Sequence, residues 1–181
     1  MTKFFSASYC ILLIAFCASQ VNAADSHLAA KWDFNSEEPA PLIPRGGVIR
    51  DQDGPRPPEF PDLESDNTAV QLKGNGARFE VKDPGPKSEY DFTNGDAITL
   101  EAWVLVEALR PGQPAYVVGK GRTHNPRFSR DNQNWSMRVV GANGGLAQLG
   151  FLFTSISDTG QKHWHRWNSE AAFQISTGWH H

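Results

Sequence analysis

The chain has 181 residues, carries 17 Lys and Arg against 20 Asp and Glu, and has a formal net charge of −3 at pH 7. No basic patch stands out from this balance, which argues against nucleic acid and anionic membrane surfaces as partners. Both cysteines, Cys10 and Cys17, lie near the N-terminus. The rest of the chain therefore offers no disulfide framework, no cysteine zinc site and no haem attachment motif.

Residues 1–23 are typical of a secretory signal peptide. Lys3 supplies the positive charge at the start, and a mostly apolar run extends from Phe4 to Cys17. Val21-Asn22-Ala23 has the small-x-small pattern that signal peptidase recognises, and the apolar run is shorter than the ~20 residues of a membrane span. We therefore expect an exported protein, secreted, periplasmic or on the cell surface. Its mature part, residues 24–181, is expected to contain no membrane span.

Residues 24–181 are predicted to form one all-β domain, because apolar stretches are short and turn residues are frequent. Ala29–Phe34 alternates apolar and polar side chains with the period of a half-buried strand. The stretch 35–67 is rich in proline, which cannot donate to a β ladder, so we expect a long irregular loop there. Leu42-Ile43 and Val48-Ile49 indicate that parts of this loop pack down.

Thr68–Leu72 and Arg78–Val81 are predicted to pair as a hairpin, with Gly74-Asn75-Gly76 supplying the positive-φ residues of a tight turn. The clearest predicted strand is Ala97–Glu107. One of its faces is fully apolar and consists of Ile98, Leu100, Ala102, Val104 and Val106. The other face is mixed but holds Trp103. This pattern predicts a central strand of a two-sheet sandwich.

The C-terminal part of the chain is predicted to contain further short strands. They are expected at Ala115–Gly119, Trp135–Val139, Leu146–Ile156 and Ala171–Ile175. Between Asp158 and Ser169 we expect a polar loop that carries several aromatic side chains.

Six motifs in this order resemble the laminin-G-like, concanavalin A-like lectin/glucanase domain of secreted bacterial proteins. They are Trp32-Asp33-Phe34, Ala69–Val81, Phe92–Val104, Tyr116–Gly121, the pair Trp135–Val139 and Leu149–Phe153, and Gly178-Trp179-His180-His181. The resemblance implies a jelly roll of two antiparallel sheets, one of them concave. It also implies that C-terminal strands are missing and that the chain is the leading part of a larger protein, because the Trp-His-His motif opens a core strand in this family.

The predicted polar loop contains the main candidate binding site. Its residues are His163, Trp164, His165, Trp167 and Asn168. Sugar sites combine flat apolar faces with a few polar groups that fix orientation, and this loop offers both. The alternative is that one or both indoles cap the open end of the core. The two loop histidines share a face if the segment is extended, but zinc needs three or four convergent ligands.

The resemblance further implies a Ca²⁺ site built from loop oxygens. Asp131, Asn132 and Asn134 cluster in one polar loop and are the candidate ligands, and Asp51 and Asp53 form a second pair. The alternative is that these residues only form turns.

A glycoside hydrolase of the same fold would need two carboxyl groups roughly 5 to 9.5 Å apart. Glu101 and Glu107 share a face of the predicted strand, but at ~3.3 Å per residue they lie roughly 20 Å apart. We therefore expect no catalytic residue. The sequence favours a non-catalytic binding module for a glycan or a cell-surface protein. A glycan-active hydrolase and a structural accessory domain without a ligand remain the alternatives.

Overall fold

The computed structural model describes residues 27–35, 42–74, 76–83, 85, 88–92, 96–121 and 134–181. In this part of the chain all strand pairs are antiparallel, and the only other regular element is one short 3-10 turn. The predicted all-β class is confirmed, and the antiparallel sheets are consistent with a β-sandwich. None of the described residues form a helix long and apolar enough to cross a membrane. The predicted signal peptide, residues 1–23, lies outside the described residues.

The N-terminal part forms a bent, two-stranded ribbon. Its strands are β1 (Ile43–Arg45), β2 (Val48–Asp53), β3 (Thr68–Leu72) and β4 (Arg78–Glu80). β1 pairs with β4, and β2 pairs with β3. The two ladders follow each other along the same two chain segments. Between them, Lys73 N donates to Gly47 O at 3.0 Å, which joins the ladders across the bend.

The two strands of the predicted hairpin are present, but they do not pair with each other. Both pair with residues 43–53, which belong to the stretch 35–67 that was expected to be irregular. The β-branched Val48 and Ile49 are half-buried against this ladder. Most prolines of the stretch fall after Asp53, where a missing N–H group costs no ladder hydrogen bond.

Arg56 organises the turns between β2 and β3. Its Nη2 donates to Asn67 O at 2.8 Å and to Asp53 Oδ1 at 2.9 Å. Gly54 and Pro55 are buried beneath these contacts. A Cβ atom on Gly54 would lie 2.9 Å from the carbonyl oxygen of Asn67, so glycine is required for this close approach. The proline-rich stretch is therefore held in place by polar contacts.

The C-terminal part forms a four-stranded sheet in chain order. Its strands are β5 (Pro114–Lys120), β6 (Trp135–Ala142), β7 (Leu146–Ile156) and β8 (Lys162–Gln174). The predictions of β5, β6 and β7 are confirmed. The prediction of a loop at Asp158–Ser169 is wrong, because residues 162–169 belong to β8. The predicted strand Ala171–Ile175 corresponds to the C-terminal end of β8, which stops at Gln174. β8 is an edge strand with nearly every residue exposed, so it lacks the apolar–polar alternation that identifies a half-buried strand.

The predicted first strand, Ala29–Phe34, is irregular in the structure. Phe34 has φ 58°, in the left-handed region that interrupts an extended strand. In place of ladder bonds, Phe34 O accepts from Thr68 Oγ1 at 2.6 Å, and Asn35 Oδ1 accepts from Thr68 N at 2.7 Å. The Phe34 ring packs on Phe79, with centroids 5.8 Å apart. The apolar side chain of Phe34 thus packs against the ribbon, while its backbone joins no sheet.

The predicted central strand Ala97–Glu107 has the expected burial but no ladder. Its half-buried side chains include Ile98, Leu100, Ala102, Val104 and Val106. Val104 and His180 exchange two backbone hydrogen bonds of 2.8 and 2.9 Å, and Ser176 N donates to Val106 O at 2.9 Å. A single bridge does not make a strand. The alternation therefore identified the inward face of this segment correctly, but not its pairing.

A cation between two carboxylates ties Asp83 and Asp91 to β5. Lys120 Nζ lies 3.0 Å from Asp83 Oδ2 and also forms a short hydrogen bond with Asp91. The backbone N–H of Gly85 lowers the pKa of Asp83 below its ordinary value of 3.8, and Lys120 lowers it further. Burial lowers the pKa of Lys120, but the hydrogen bonds and charges of Asp91 and Asp83 outweigh burial and leave that pKa above 10.5.

The contacts of Asp83 predict an acid-sensitive fold. Because the folded state lowers its pKa, the carboxylate contributes stability above the unfolded value of 3.8, and this contribution is lost as the pH falls through the lower folded value. We expect the free energy of unfolding in urea to drop between about pH 5 and about pH 2, and to drop less in Asp83→Asn. The matched control is Asp62→Asn, which replaces an exposed aspartate and should keep the pH dependence of the wild type. Equal pH dependence in Asp83→Asn and the wild type would contradict the prediction.

Candidate functional site

The five predicted ligand-binding residues lie on the edge strand β8 and not on a loop. Successive side chains of a strand point to opposite faces of the sheet. His163, His165 and Trp167 therefore share one face, and Trp164 and Asn168 share the other. The exposed fractions of Trp164 and Trp167 are 44% and 56%, so neither indole is sequestered in the core. The structure divides the predicted site between two faces.

One of these faces is aromatic over both β7 and β8. This aromatic face consists of Phe151, Phe153, Ser155, His163, His165 and Trp167, which form cross-strand pairs. The His165 ring stacks on Phe153, with centroids 4.5 Å apart and ring planes 16° from parallel. Ser155 Oγ lies 2.7 Å from His165 Nε2. The sequence alone did not indicate that β7 contributes to this face. The β7 and β8 residues are separated along the chain, and only the register of the two strands places them side by side.

The aromatic side of the sheet is buried at β6 and open at β8. Trp135 is 7% exposed, Phe153 is 39% exposed and Trp167 is 56% exposed. Residues 88–92 cover the β6 end, where Trp135 Nε1 donates to Tyr90 O at 2.9 Å. The outer aromatic rings are therefore accessible to a ligand, whereas Trp135 belongs to the core.

Ser155 and His165 have the atoms of a nucleophile and a base, but their surroundings favour binding. A catalytic pair of this kind needs a third group that orients the base. No hydrogen bond orients the second ring nitrogen of His165 within the described part of the chain, and both residues are exposed. The pair therefore supplies a donor and an acceptor beside the stacked rings.

The opposite face of the sheet is polar. This polar face carries Tyr116, Ser136, Arg138, Gly150, Thr154, Trp164, Arg166 and Asn168, with the buried Leu152 between Ser136 and Arg166. Lys162 Nζ lies 5.3 Å from the centre of the Trp164 ring. The alternation of Trp135–Val139 already places Arg138 away from the apolar side chains, but the burial of Arg138 could not be read from the sequence.

The two C-terminal histidines have packing contacts. The His180 ring lies 4.3 Å from the Phe173 ring, and the His181 ring lies 5.0 Å from Trp103. Trp103 in turn contacts Phe60 edge to face at 4.7 Å. These contacts join the C-terminus to the segment 97–107 and to the turns before β3.

The candidate metal ligands do not converge in the described structure. Asp131 and Asn132 lie outside the described residues, and Asn134 is half-buried just before β6. Of the second pair, Asp53 forms an ion pair of 2.9 Å with Arg56. Across the described ranges, no three or more His, Cys, Asp or Glu side chains form a group that could hold a metal ion.

The two candidate acids for glycan hydrolysis, Glu101 and Glu107, are both exposed. Glu107 Oε1 accepts a hydrogen bond from Gln71 Nε2 at 2.8 Å, which ties it to β3. Glu107 therefore has a structural partner, and the segment between the two acids holds no further carboxyl group.

Comparisons with known protein families, with curated proteins and with solved structures find no match to this chain. Its function must therefore be inferred from the geometry of its own residues.

Proposed function

We propose that the chain is a non-catalytic glycan-binding module of an exported protein, and that the sugar binds on the aromatic face. The exposed Trp167, beside the stacked rings of Phe153 and His165, is the observation that carries this proposal. An aromatic ring packs on the apolar face of a sugar, while a few polar groups fix the orientation of the sugar. Ser155 and His163 supply such groups on the same face.

A laminin-G-like jelly roll is part of the same proposal. The antiparallel sheets fit such a fold, and Val104 of the Trp103 motif bridges to His180 of the Trp-His-His motif. Two motifs that carry the resemblance are thus neighbours in space although they are far apart along the chain. A crystal structure of the whole protein would test this fold, and mass spectrometry of the exported chain would test cleavage after Ala23.

A hydrolase of the same fold is the competing function. We expect no reducing ends to be released from polysaccharides, because neither Glu101 nor Glu107 faces a second carboxyl group along its segment. Release of reducing ends that is lost in Glu101→Gln or Glu107→Gln would replace the binding proposal by a hydrolase.

Replacing Trp167 is expected to weaken glycan binding on the aromatic face. Loss of an aromatic contact worth ~1.5–3 kcal/mol raises the Kd about tenfold or more. A glycan array would identify the ligand of the wild-type chain, and calorimetry would measure its Kd for the wild type and for Trp167→Ala. Trp164→Ala is the matched control, because its indole lies on the polar face of the same strand; we expect its Kd to stay within about twofold of the wild type.

The pair of tryptophan variants separates the outcomes. Binding that is lost in Trp164→Ala and kept in Trp167→Ala would contradict the assignment to the aromatic face. A folded wild-type sample that binds no glycan would favour the accessory-domain alternative, with the exposed rings as a contact for another protein.

A further inference from the structure

The polar face contains a row of side chains that converge on a glycine. The sheet register aligns Tyr116, Arg138, Gly150 and Asn168 in one row across all four strands. Arg166 lies two residues before Asn168 on β8, and therefore on the same face about 6.6 Å away. Arg138 and Asn168 thus flank the position of Gly150, and Arg166 follows in the next row of the same face, opposite Leu152.

Arg138 is a buried cation whose Nε has no partner among the described residues. The residue is 5% exposed, and its Nε is buried without a hydrogen-bond acceptor in that part of the chain. Burying a charge is unfavourable unless the charge is paired and hydrogen-bonded. Such a group requires an explanation, because buried polar atoms in folded proteins almost always have a partner.

Among the described residues, the other cations that are not exposed, Arg56, Arg78 and Lys120, each have a carboxylate partner, which makes Arg138 exceptional. Lys120, whose side chain is 17% exposed, contacts two carboxylates, and Arg56 contacts Asp53. No ion pair joins Arg138 or Arg166 to a carboxylate within the described part of the chain. The cross-strand pairs of the polar face also include no Asp or Glu. The described part of the face therefore holds positive charge without a counter-ion from the described residues.

Gly150 provides the space in which these groups meet. A Cβ atom at this position would lie 3.0 Å from Asn168 Oδ1 and 3.1 Å from Arg138 Nε. Both side chains therefore lean over the backbone of β7 from opposite sides. A larger residue would require both side chains to shift by a few tenths of an ångström, so glycine at position 150 leaves room for both of them.

We infer that the polar face binds a carboxylate group of a ligand, with Arg138 as the main partner and with Arg166 and Asn168 beside it. A carboxylate matches the planar guanidinium and can accept two parallel hydrogen bonds from it. An acidic sugar such as a uronate, free or within a polysaccharide, carries this group. The inference goes beyond the proposed function and does not rest on it, because Trp167 lies on the opposite face of the sheet.

The test uses galacturonic acid, an oligogalacturonate and neutral glucose as probes, titrated into the wild-type chain and followed by calorimetry. We expect binding of the two acidic probes and none of glucose. Arg138→Met keeps the apolar stem and removes the charge, so it should raise the Kd about tenfold or more while leaving Tm unchanged or higher. Tighter binding of the oligomer than of the monomer would identify a polysaccharide as the ligand, and equal binding would identify a free acid.

Arg166→Ala keeps the test decisive if Arg138→Met does not fold, because Arg166 is exposed. We expect it to raise the Kd several-fold, whereas Arg50→Ala, which removes an exposed arginine of β2, should leave uronate binding unchanged. Failure of the wild type to bind either acidic probe, or unchanged binding in both arginine variants, would overturn the inference. Loss of uronate binding in Trp167→Ala alone would also overturn it, since that result would place the acid on the aromatic face.

Discussion

Replacing Gly141 with alanine is expected to destabilise the four-stranded sheet by about 3 kcal/mol, at the upper end of overpacking effects. An alanine Cβ at this position would lie 2.2 Å from the carbonyl oxygen of Arg110 and 2.8 Å from its carbonyl carbon. Backbone atoms cannot rotate away as a flexible side chain can, so the turn before β5 would have to move. Urea denaturation, monitored by tryptophan fluorescence, measures the loss.

Hydrogen exchange would locate the damage caused by Gly141→Ala. Gly112 N donates to Gly141 O at 2.8 Å, and Gly141 N donates to Gln113 O at 3.0 Å. We expect both amide protons to exchange faster in the variant. Gly144→Ala is the matched control, because Gly144 has φ 73° and open space around the added carbon, so its cost of about 1–2 kcal/mol should leave these amides protected. Unchanged exchange in Gly141→Ala would contradict the expected displacement.

The strands that could be predicted from the sequence are those with a buried face, and they include β6 and β7 in the middle of the sheet. β6 contains Trp135, Met137 and Val139, which are all buried and alternate with other side chains, so a period of two is visible in the sequence. β7 has an interrupted version of the same pattern. The apolar face of residues 97–107 could be predicted for the same reason, because burial follows from side-chain periodicity alone.

Strand pairing could not be predicted, because it depends on partners that are distant along the chain. The segments 68–72 and 78–81 have the turn residues of a hairpin between them, yet both find ladder partners in residues 43–53. The turn residues between the two segments favour a hairpin, but the structure has the ladders with residues 43–53 in its place. The segment 97–107 shows the opposite case, an alternating pattern with a single backbone bridge.

The candidate site was predicted in its residue types but not in its geometry. Aromatic and polar side chains near residues 163–168 indicated binding, but a loop was expected where the structure has an edge strand. Because neighbouring side chains of a strand point to opposite faces, Trp167 lies on the aromatic face and Trp164 lies on the polar face. The sequence does not identify Arg138 as a candidate binding residue, because only the folded sheet shows that this cation is buried beside Gly150.

Replacing Trp135 with alanine is expected to lower the free energy of unfolding by about 3–5 kcal/mol, the usual cost of deleting a buried tryptophan ring. Trp135 is 7% exposed and packs edge to face on Phe92, with centroids 5.8 Å apart. Its Nε1 also donates to Tyr90 O at 2.9 Å. Trp135→Phe keeps most of the packing but leaves that carbonyl without its donor, so we expect a smaller loss of about 1–3 kcal/mol.

Trp167→Ala is the control for Trp135→Ala, because it deletes the same side chain from the exposed end of the same side of the sheet. With 56% of its surface exposed, Trp167 should contribute no more than about 1 kcal/mol to stability. Equal losses in the two variants would contradict the gradient from buried β6 to open β8. A large difference would mean that the variant used to test glycan binding keeps its fold, so that any loss of binding in Trp167→Ala reports on the aromatic face itself.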